Sequence, residues 1–420
     1  MNFNRACSIG GAVLLIACSG VFAQVNRDFW DRAPIRYSET ASKDSLTELA
    51  KLLESDDSPV VEGGNLGALE YVLKYLEIPE ESQVLVFSKT SLQNDWISPK
   101  NPRSFYFSEN AYVGYVPGGA IEAIVQDAFL GPVFYMIGKD ETGSISIERD
   151  QNRCFTCHAT ARTEGAPGML IRSVYPGEGG HPQFDLGSHD VDYRTPLAIR
   201  WGGWYVTGSS ALPHLGNRIF SKETGYEPKR DRLDSVAGLV DTSGYLRDTS
   251  DIVALLVLEH QVKMHSLLNA ASMNYRRSLH FMKILDPDAE PDSGSAGKVA
   301  ESWADDIVDG LFFKDEADLG DGVEGDPAFQ KAFLKRFPKS SGGDSLADFR
   351  LYRRIFKNRC SYMVYSDAFK GLPVVVKTKV ISKMKRVLSG EADGFNDLNK
   401  ADRERARIDR ILTETLPGWK

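Results

Sequence analysis

Ser104-Phe105-Tyr106-Phe107-Ser108-Glu109-Asn110-Ala111-Tyr112-Val113-Gly114-Tyr115 is the stretch on which the fold turns. Two runs of aromatic and β-branched residues flank a polar Ser108-Glu109-Asn110, and that pattern predicts a β-hairpin. Working outward, Val84-Leu85-Val86-Phe87 reads as a short strand before it, and residues 121–125, 133–137 and 144–148 read as strands after it. The pairs Gly118-Gly119, Gly131-Pro132 and Thr142-Gly143 supply turns between them. The aromatic density of this unit is read as core and cross-strand packing.

The period changes on either side. Leu46, Leu49, Ala50, Leu52 and Leu53 repeat at helical spacing, as do Leu69, Val72, Leu73 and Leu76 ahead of Pro79. The longest helix is predicted from Asp251 to about Leu285, with Ser250 as its N-cap and Asp251 in its first turn. Val253, Leu256, Val257, His260, Met264, Leu267, Leu268 and Ala271 form its apolar stripe, so His260 is expected inside and His265 off the stripe. Residues 286–297 read as a loop, and residues 344–420 as several helices. The fold class expected is α+β: a β-rich N-terminal half (24–149), a distinct segment (150–220), then a mainly α-helical C-terminal half (221–420).

The distinct segment opens with Cys154-Phe155-Thr156-Cys157-His158. This is C-x-x-C-H, the attachment pattern for c-type haem. Two thiols with two residues between them sit about one short helical turn from each other, a span that suits the two vinyl groups of one porphyrin. The next residue, His158, then presents its imidazole to the iron as the proximal ligand. Other uses of the pair fit less well. A structural disulfide has no need of His158. A zinc site needs two more ligands, and no second C-x-x-C or H-x3–5-H is present. A thioredoxin-like pair belongs between a strand and a helix of a different unit.

The address implied by the N-terminus agrees. Arg5 precedes an apolar run through Ala17, and small residues lead to Val21-Phe22-Ala23, a bacterial-type secretory signal with cleavage expected after Ala23. Leu15-Ile16-Ala17-Cys18 also resembles a lipobox, so Cys18 is an alternative lipid-anchor site. The expected location is periplasmic, with a membrane-anchored lipoprotein as the alternative. No later run reaches the ~20 apolar residues of a spanning helix. Of five cysteines, Cys7 and Cys18 lie in the leader, which leaves the motif pair and Cys360 in an apolar run. That count excludes a disulfide-stapled scaffold and makes Cys360 a buried, inert thiol. A net charge of −8 argues against nucleic-acid binding.

An electron carrier fills both axial positions of its iron. The candidates for the distal ligand are His214 and His260, then Met169, with His181 and His189 in a polar Gly/Asp-rich stretch. Arg153, Arg162 and Arg172 surround the motif and suit the propionates of haem. Trp201-Gly202-Gly203-Trp204-Tyr205-Val206-Thr207-Gly208 offers indole surface for a porphyrin, or is a glycine-kinked strand with core tryptophans. Carboxylates at 315, 318 and 321 are spaced three apart, where an EF-hand loop needs two.

The five-residue motif resembles the c-type cytochromes. A wider likeness is to a group of exported bacterial proteins with one cytochrome c-type motif. It runs through Val84-Leu85-Val86-Phe87-Ser88-Lys89-Thr90-Ser91, Arg200-Trp201-Gly202-Gly203-Trp204-Tyr205-Val206-Thr207-Gly208, Asp251-Ile252-Val253-Ala254-Leu255, Glu259-His260-Gln261 and the neighbourhood of Cys360-Ser361-Tyr362. The resemblance implies one covalently bound haem c on Cys154 and Cys157, with His158 on the iron. It also implies one-electron transfer with a redox partner protein or a small-molecule donor or acceptor. The alternative is a peroxidase-like, haem-dependent oxidoreductase with an open distal position. A di-haem peroxidase is excluded by the single motif.

Overall fold

The structure, a computed structural model, describes residues 30–55, 61–139, 144–151 and 153–420. The leader, its cleavage point and Cys18 lie outside the described residues. The N-terminal half is built on a six-stranded antiparallel meander in which every neighbour is consecutive in sequence. Its strands are β1 (Val84–Val86), β2 (Arg103–Ser108), β3 (Ala111–Tyr115), β4 (Ile121–Asp127), β5 (Gly131–Lys139) and β6 (Ile145–Asp150). Ser108 pairs with Ala111, so the central hairpin closes on Glu109 and Asn110 alone, with Phe105 opposite Gly114 and Phe107 opposite Tyr112.

Alternation assigns the two faces of the sheet. Tyr106, Val113, Tyr115, Ile121, Val125 and Val133 point to one side, where they pack on Leu46, Leu49, Leu69, Val72 and Leu73. Those last five belong to the helices Ser45–Leu53 and Gly64–Tyr75, both at the positions expected of them. Phe107 and Tyr112 point to the other side and join the core of the C-terminal half. The sheet is therefore covered on both faces, and β3 is buried at every position.

The C-terminal half is mainly helical and confirms the α+β class, although residues 221–251 hold only a two-residue strand and one 3-10 turn, and its α-helices start at 252. The helix Ile252–Leu285 is buried on all sides along its first three turns, from Ile252 to Val262. It packs against the helix Gly294–Leu311, so the preceding loop ends at Ser293 and is shorter than expected. The helix Val374–Ser389 lies against Gly294–Leu311, and Lys383 spans Glu301 and Asp305 between them. Asp402–Thr415 closes the chain. Cys360 is fully buried beside Tyr362, and burial pushes its thiol up. Among the described residues no helix is long and apolar enough to cross a membrane.

Two expectations about the long helix are corrected. Its N-cap is Asp251, whose Oδ2 accepts from Ala254 N at 2.8 Å. Ser250 instead accepts from Leu85 N and donates to Tyr205 O, stitching the helix start to β1. His265 is buried, because the sheet covers the helix face that the sequence pattern left open. Asp251 also accepts from Asp326 N at 2.5 Å. Replacing it by alanine is expected to cost about 1–2 kcal/mol for the cap. Burial lifts its carboxyl from 3.8 to about 7 against the pull of the Asp326 and Ala254 N–H groups. A carboxyl raised in the folded state stabilises fully below its unfolded pKa, and that contribution is lost as pH rises. Urea titrations from about pH 4 to about pH 7 should therefore show wild type losing more stability than Asp251→Ala.

Candidate functional site

β6 ends at Asp150, and its carboxylate accepts from Cys154 N at 2.8 Å. That bond starts a single helical turn, Phe155–His158, with His158 N donating to Cys154 O at 2.9 Å. Burial opposes ionisation of Asp150, but hydrogen bonds from Cys154 and Arg153 hold it below the usual carboxylate range. The turn brings both sulfurs and the imidazole to one wall. Cys154 is half-buried and Cys157 exposed, and both are free thiols. Burial, reinforced by Asp150, pushes the Cys154 thiol up, so it is not a ready thiolate. Phe155 anchors the turn by edge-on packing against Tyr37 at 4.8 Å and Phe134 at 5.6 Å.

His158 is held from behind. Its Nδ1 lies 2.8 Å from Gly168 O, and Gly168 N donates back to His158 O at 2.7 Å. A carbonyl only accepts, so Nδ1 carries the proton and Nε2 keeps a bare lone pair. Burial also lowers the His158 pKa, which keeps the ring neutral. The intervening loop is fixed by Thr163, which donates to Ala166 O at 2.7 Å and accepts from Thr160 N at 3.1 Å. Space at Gly168 is tight: a Cβ would fall 3.1 Å from Ser266 Oγ and 3.2 Å from Thr163 Cβ.

Cys154, Cys157 and His158 open onto a cavity of about 510 Å³. Its apolar walls include Val86, Phe105, Tyr112, Phe134, Met169 and Trp204. Four arginines line it, Arg103, Arg153, Arg162 and Arg172, against one glutamate, Glu122. The three arginines singled out from sequence are thus all present. Arg153 leans on Asp150 and Arg162 on Asp190, at 3.3 and 3.6 Å. Arg172 is bonded to Ser188 and carries its charge in a half-buried place, which lowers its pKa.

The tryptophan-rich turn divides its two indoles. Gly202 and Gly203 let it pass tightly between strands: a Cβ on Gly202 would strike Val174 O at 2.0 Å, and one on Gly203 would strike Ser88 at 2.6 Å. Trp204 then lies in the cavity wall with Nε1 donating to Arg172 O at 2.8 Å. Trp201 is turned away and donates to buried Glu259 at 2.7 Å.

The two histidines expected on the distal side do not line the cavity. His214 uses both ring nitrogens elsewhere: Nδ1 accepts from Gly216 N at 3.1 Å and Nε2 faces Asp231 at 3.0 Å. His260 is buried against Phe313 at 4.1 Å, with Nε2 2.7 Å from Ser361 Oγ, and burial drives its pKa down to about 3. His181 is exposed, His189 sits half-buried in a short ladder with Ser173, and neither lines the cavity. Met169 does line it. Sequence reasoning missed the contribution of the sheet, namely Arg103, Phe105, Tyr112, Glu122 and Phe134. The available signal was Gly114, a residue without a side chain in the middle of an aromatic strand.

Among the described residues no cluster of three or more histidine, cysteine or acidic side chains is arranged around a bare ion. A haem iron takes four of its ligands from the porphyrin, so that arrangement is not the one it requires. Comparison with family models, with curated proteins and with solved structures found no match.

Proposed function

We propose that this chain is an exported mono-haem c-type protein that exchanges single electrons, with haem held by Cys154, Cys157 and His158. The observation that carries this reading is the state of His158. It is neutral, its Nδ1–H is committed to Gly168 O, and its bare Nε2 belongs to the same wall as both thiols. A proximal ligand needs that tautomer. Attachment needs no outside oxidant: each S–H adds across a vinyl group, sulfur bonding one carbon and the proton passing to the other. Bound haem supplies the Fe(II)/Fe(III) couple, tuned by ligand, burial and charge. The cavity suits the rest of the cofactor, with apolar walls for the macrocycle and an arginine excess for two propionates. The redox partner is a protein or a small molecule, and the periplasm is the compartment in which such attachment takes place.

The placement of the histidines favours a second, narrower reading, a haem-dependent oxidoreductase with an open distal position. His214 and His260 are engaged outside the cavity. Met169 lines the cavity and follows Gly168, whose carbonyl holds the back of the imidazole. On this second reading, holoprotein from a maturation-competent cell is expected to show a high-spin ferric spectrum that turns low-spin on cyanide addition. Absorption and EPR spectra decide it. A low-spin ferric haem indifferent to cyanide leaves only the carrier, and protein without haem removes both readings.

A further inference from the structure

Phe281, Ile284 and Leu285 stand at i, i+3 and i+4 in the last turns of the helix Ile252–Leu285, so they share one face. They are 52 %, 62 % and 88 % exposed, while Met282 turns toward Gly294 at the start of the next helix. Two more apolar side chains are exposed at the same end of the molecule. Arg276, just over a turn earlier, donates to Phe129 O at 2.8 Å and to Gly371 O at 3.4 Å. That bond pair brings the β4–β5 turn and the start of the helix Val374–Ser389 to the helix end. With them come Phe129 and Val374, 37 % and 80 % exposed. Single exposed apolar residues are ordinary, but five gathered at one end mark a contact surface.

Charge does not select the occupant. Arg277 and Lys283 stand against Asp286 and Asp288, and Lys370 pairs with Asp367 at 3.1 Å. The path of the chain does select it. The described chain begins at Trp30, and the Arg277 guanidinium of this same helix end lies 5.9 Å over the Trp30 ring. Eleven residues separate Trp30 from Cys18, the cysteine of the lipobox-like Leu15-Ile16-Ala17-Cys18. Such a segment reaches about 40 Å at most, so lipid on Cys18 keeps this end of the protein beside the bilayer. At the effective concentration that a short tether sets, a small apolar contact suffices to fix orientation.

We propose that the end of the molecule formed by Phe129, Phe281, Ile284, Leu285 and Val374 rests in the headgroup layer of the membrane to which Cys18 tethers the chain. It is a surface contact, since among the described residues no helix is long and apolar enough to cross. The contact also sets where the cavity stands. Gly168 lies against Ser266 and Glu164 pairs with Lys263, so the motif turn sits beside the middle of the same helix. Ser266 is fifteen residues before Phe281, about 22 Å along the helix axis. The cavity is held off the lipid, and its redox partner meets it from water. That consequence depends on the haem reading; the membrane contact does not.

The test expresses the full chain in a bacterial host and begins with the mass of its mature N-terminus, which is expected to carry lipid on Cys18. Flotation with phosphatidylcholine vesicles then reads the contact in the Cys18→Ala chain, which has no lipid to mask it. That chain should float weakly. The further triple change Phe281→Ser/Ile284→Ser/Leu285→Ser should lower its partition roughly tenfold or more. The thermal midpoint should not move, since all three side chains are exposed. High salt should leave flotation nearly unchanged, because apolar burial is not screened. In the lipid-bearing chain, Leu285→Trp should be quenched by brominated lipid. Phe184→Trp should not be; Phe184 is 62 % exposed at the cavity, under the guanidinium of Arg172. Selective quenching at Leu285→Trp supports the contact whether or not haem is attached. A triple variant that floats like its parent overturns the proposal, as does flotation abolished by salt or equal quenching at both positions. So does a wild-type mature chain that begins at Gln24, because nothing then brings this end to the bilayer. Self-association in solution that the triple variant abolishes also overturns it, since the face then belongs to a second copy.

Discussion

Protein with Cys154→Ala and Cys157→Ala, made in a cell with an active cytochrome c maturation system, is expected to carry no covalent haem. Wild type should be heavier by one haem and keep its colour through denaturing electrophoresis and acid extraction. The double variant should do neither. The effect is large because no other pair of thiols can replace this one: Cys360, the remaining cysteine of the described residues, is fully buried. Single variants separate the two sulfurs. Cys157 is exposed and Cys154 is half-buried under the Asp150 carboxylate. Either alone permits one thioether, and each single variant is expected to retain haem through the other sulfur at reduced yield. His158→Ala removes the proposed iron ligand and leaves both thiols, so it should alter the spectrum of whatever haem is attached. Wild type recovered with a Cys154–Cys157 disulfide and no haem would sink the assignment, and with it the reading of His158 as a proximal ligand.

Most of the secondary structure was legible because its signals are local. The hairpin at 104–115, the strands around it and the two N-terminal helices each carry their own period, and the structure has all of them. The turn that carries both motif cysteines and His158 was legible for the same reason, being five consecutive residues. The cavity was not, because it is made by tertiary assembly. A stripe containing His260 correctly implies burial, but burial does not distinguish an iron ligand from a core histidine. Ser361, 101 residues away, and the Phe313 ring make that choice. His265 illustrates the reverse error. It lay off the stripe, and Tyr112 from the sheet covers it with a hydroxyl 2.6 Å from Nδ1. Gly114, without a side chain in an aromatic strand, is the space into which Arg103 folds. In each case the deciding neighbour belongs to another element, where no periodicity reaches.

Replacing Glu259 by glutamine is expected to destabilise the fold by about 3–5 kcal/mol, the cost of stranding a buried charge. The stranded charge is Arg200, whose side chain is 1 % exposed and whose partner Glu259 is 0 % exposed, with 2.5 Å between them. Among the described residues Glu259 is its ion-pair partner, although the Glu316 carboxyl also feels its charge. Its other bonds, from Nε to Thr195 O at 2.6 Å and from Nη2 to Tyr193 O at 3.0 Å, go to neutral carbonyls. Burial pushes the Glu259 carboxyl up, while Arg200 and the Trp201 indole pull it back, so the carboxylate is expensive to bury and more expensive to remove. Removing both partners should hurt less than removing one, because Arg200→Met with Glu259→Leu leaves no unpaired charge. Equilibrium urea unfolding of the single and double variants checks the ordering. The consequence reaches the site through a short turn of two glycines. Trp201 hangs from Glu259, and Gly202 and Gly203 link it to Trp204 in the cavity wall. The double variant, restored in stability, still lacks the acceptor for Trp201. It should therefore show a shifted haem spectrum where a purely structural pair would show none. A Glu259→Gln protein as stable as wild type would mean that Arg200 is not charged-paired in the folded state, and that the turn carrying Trp204 is held by its glycines alone.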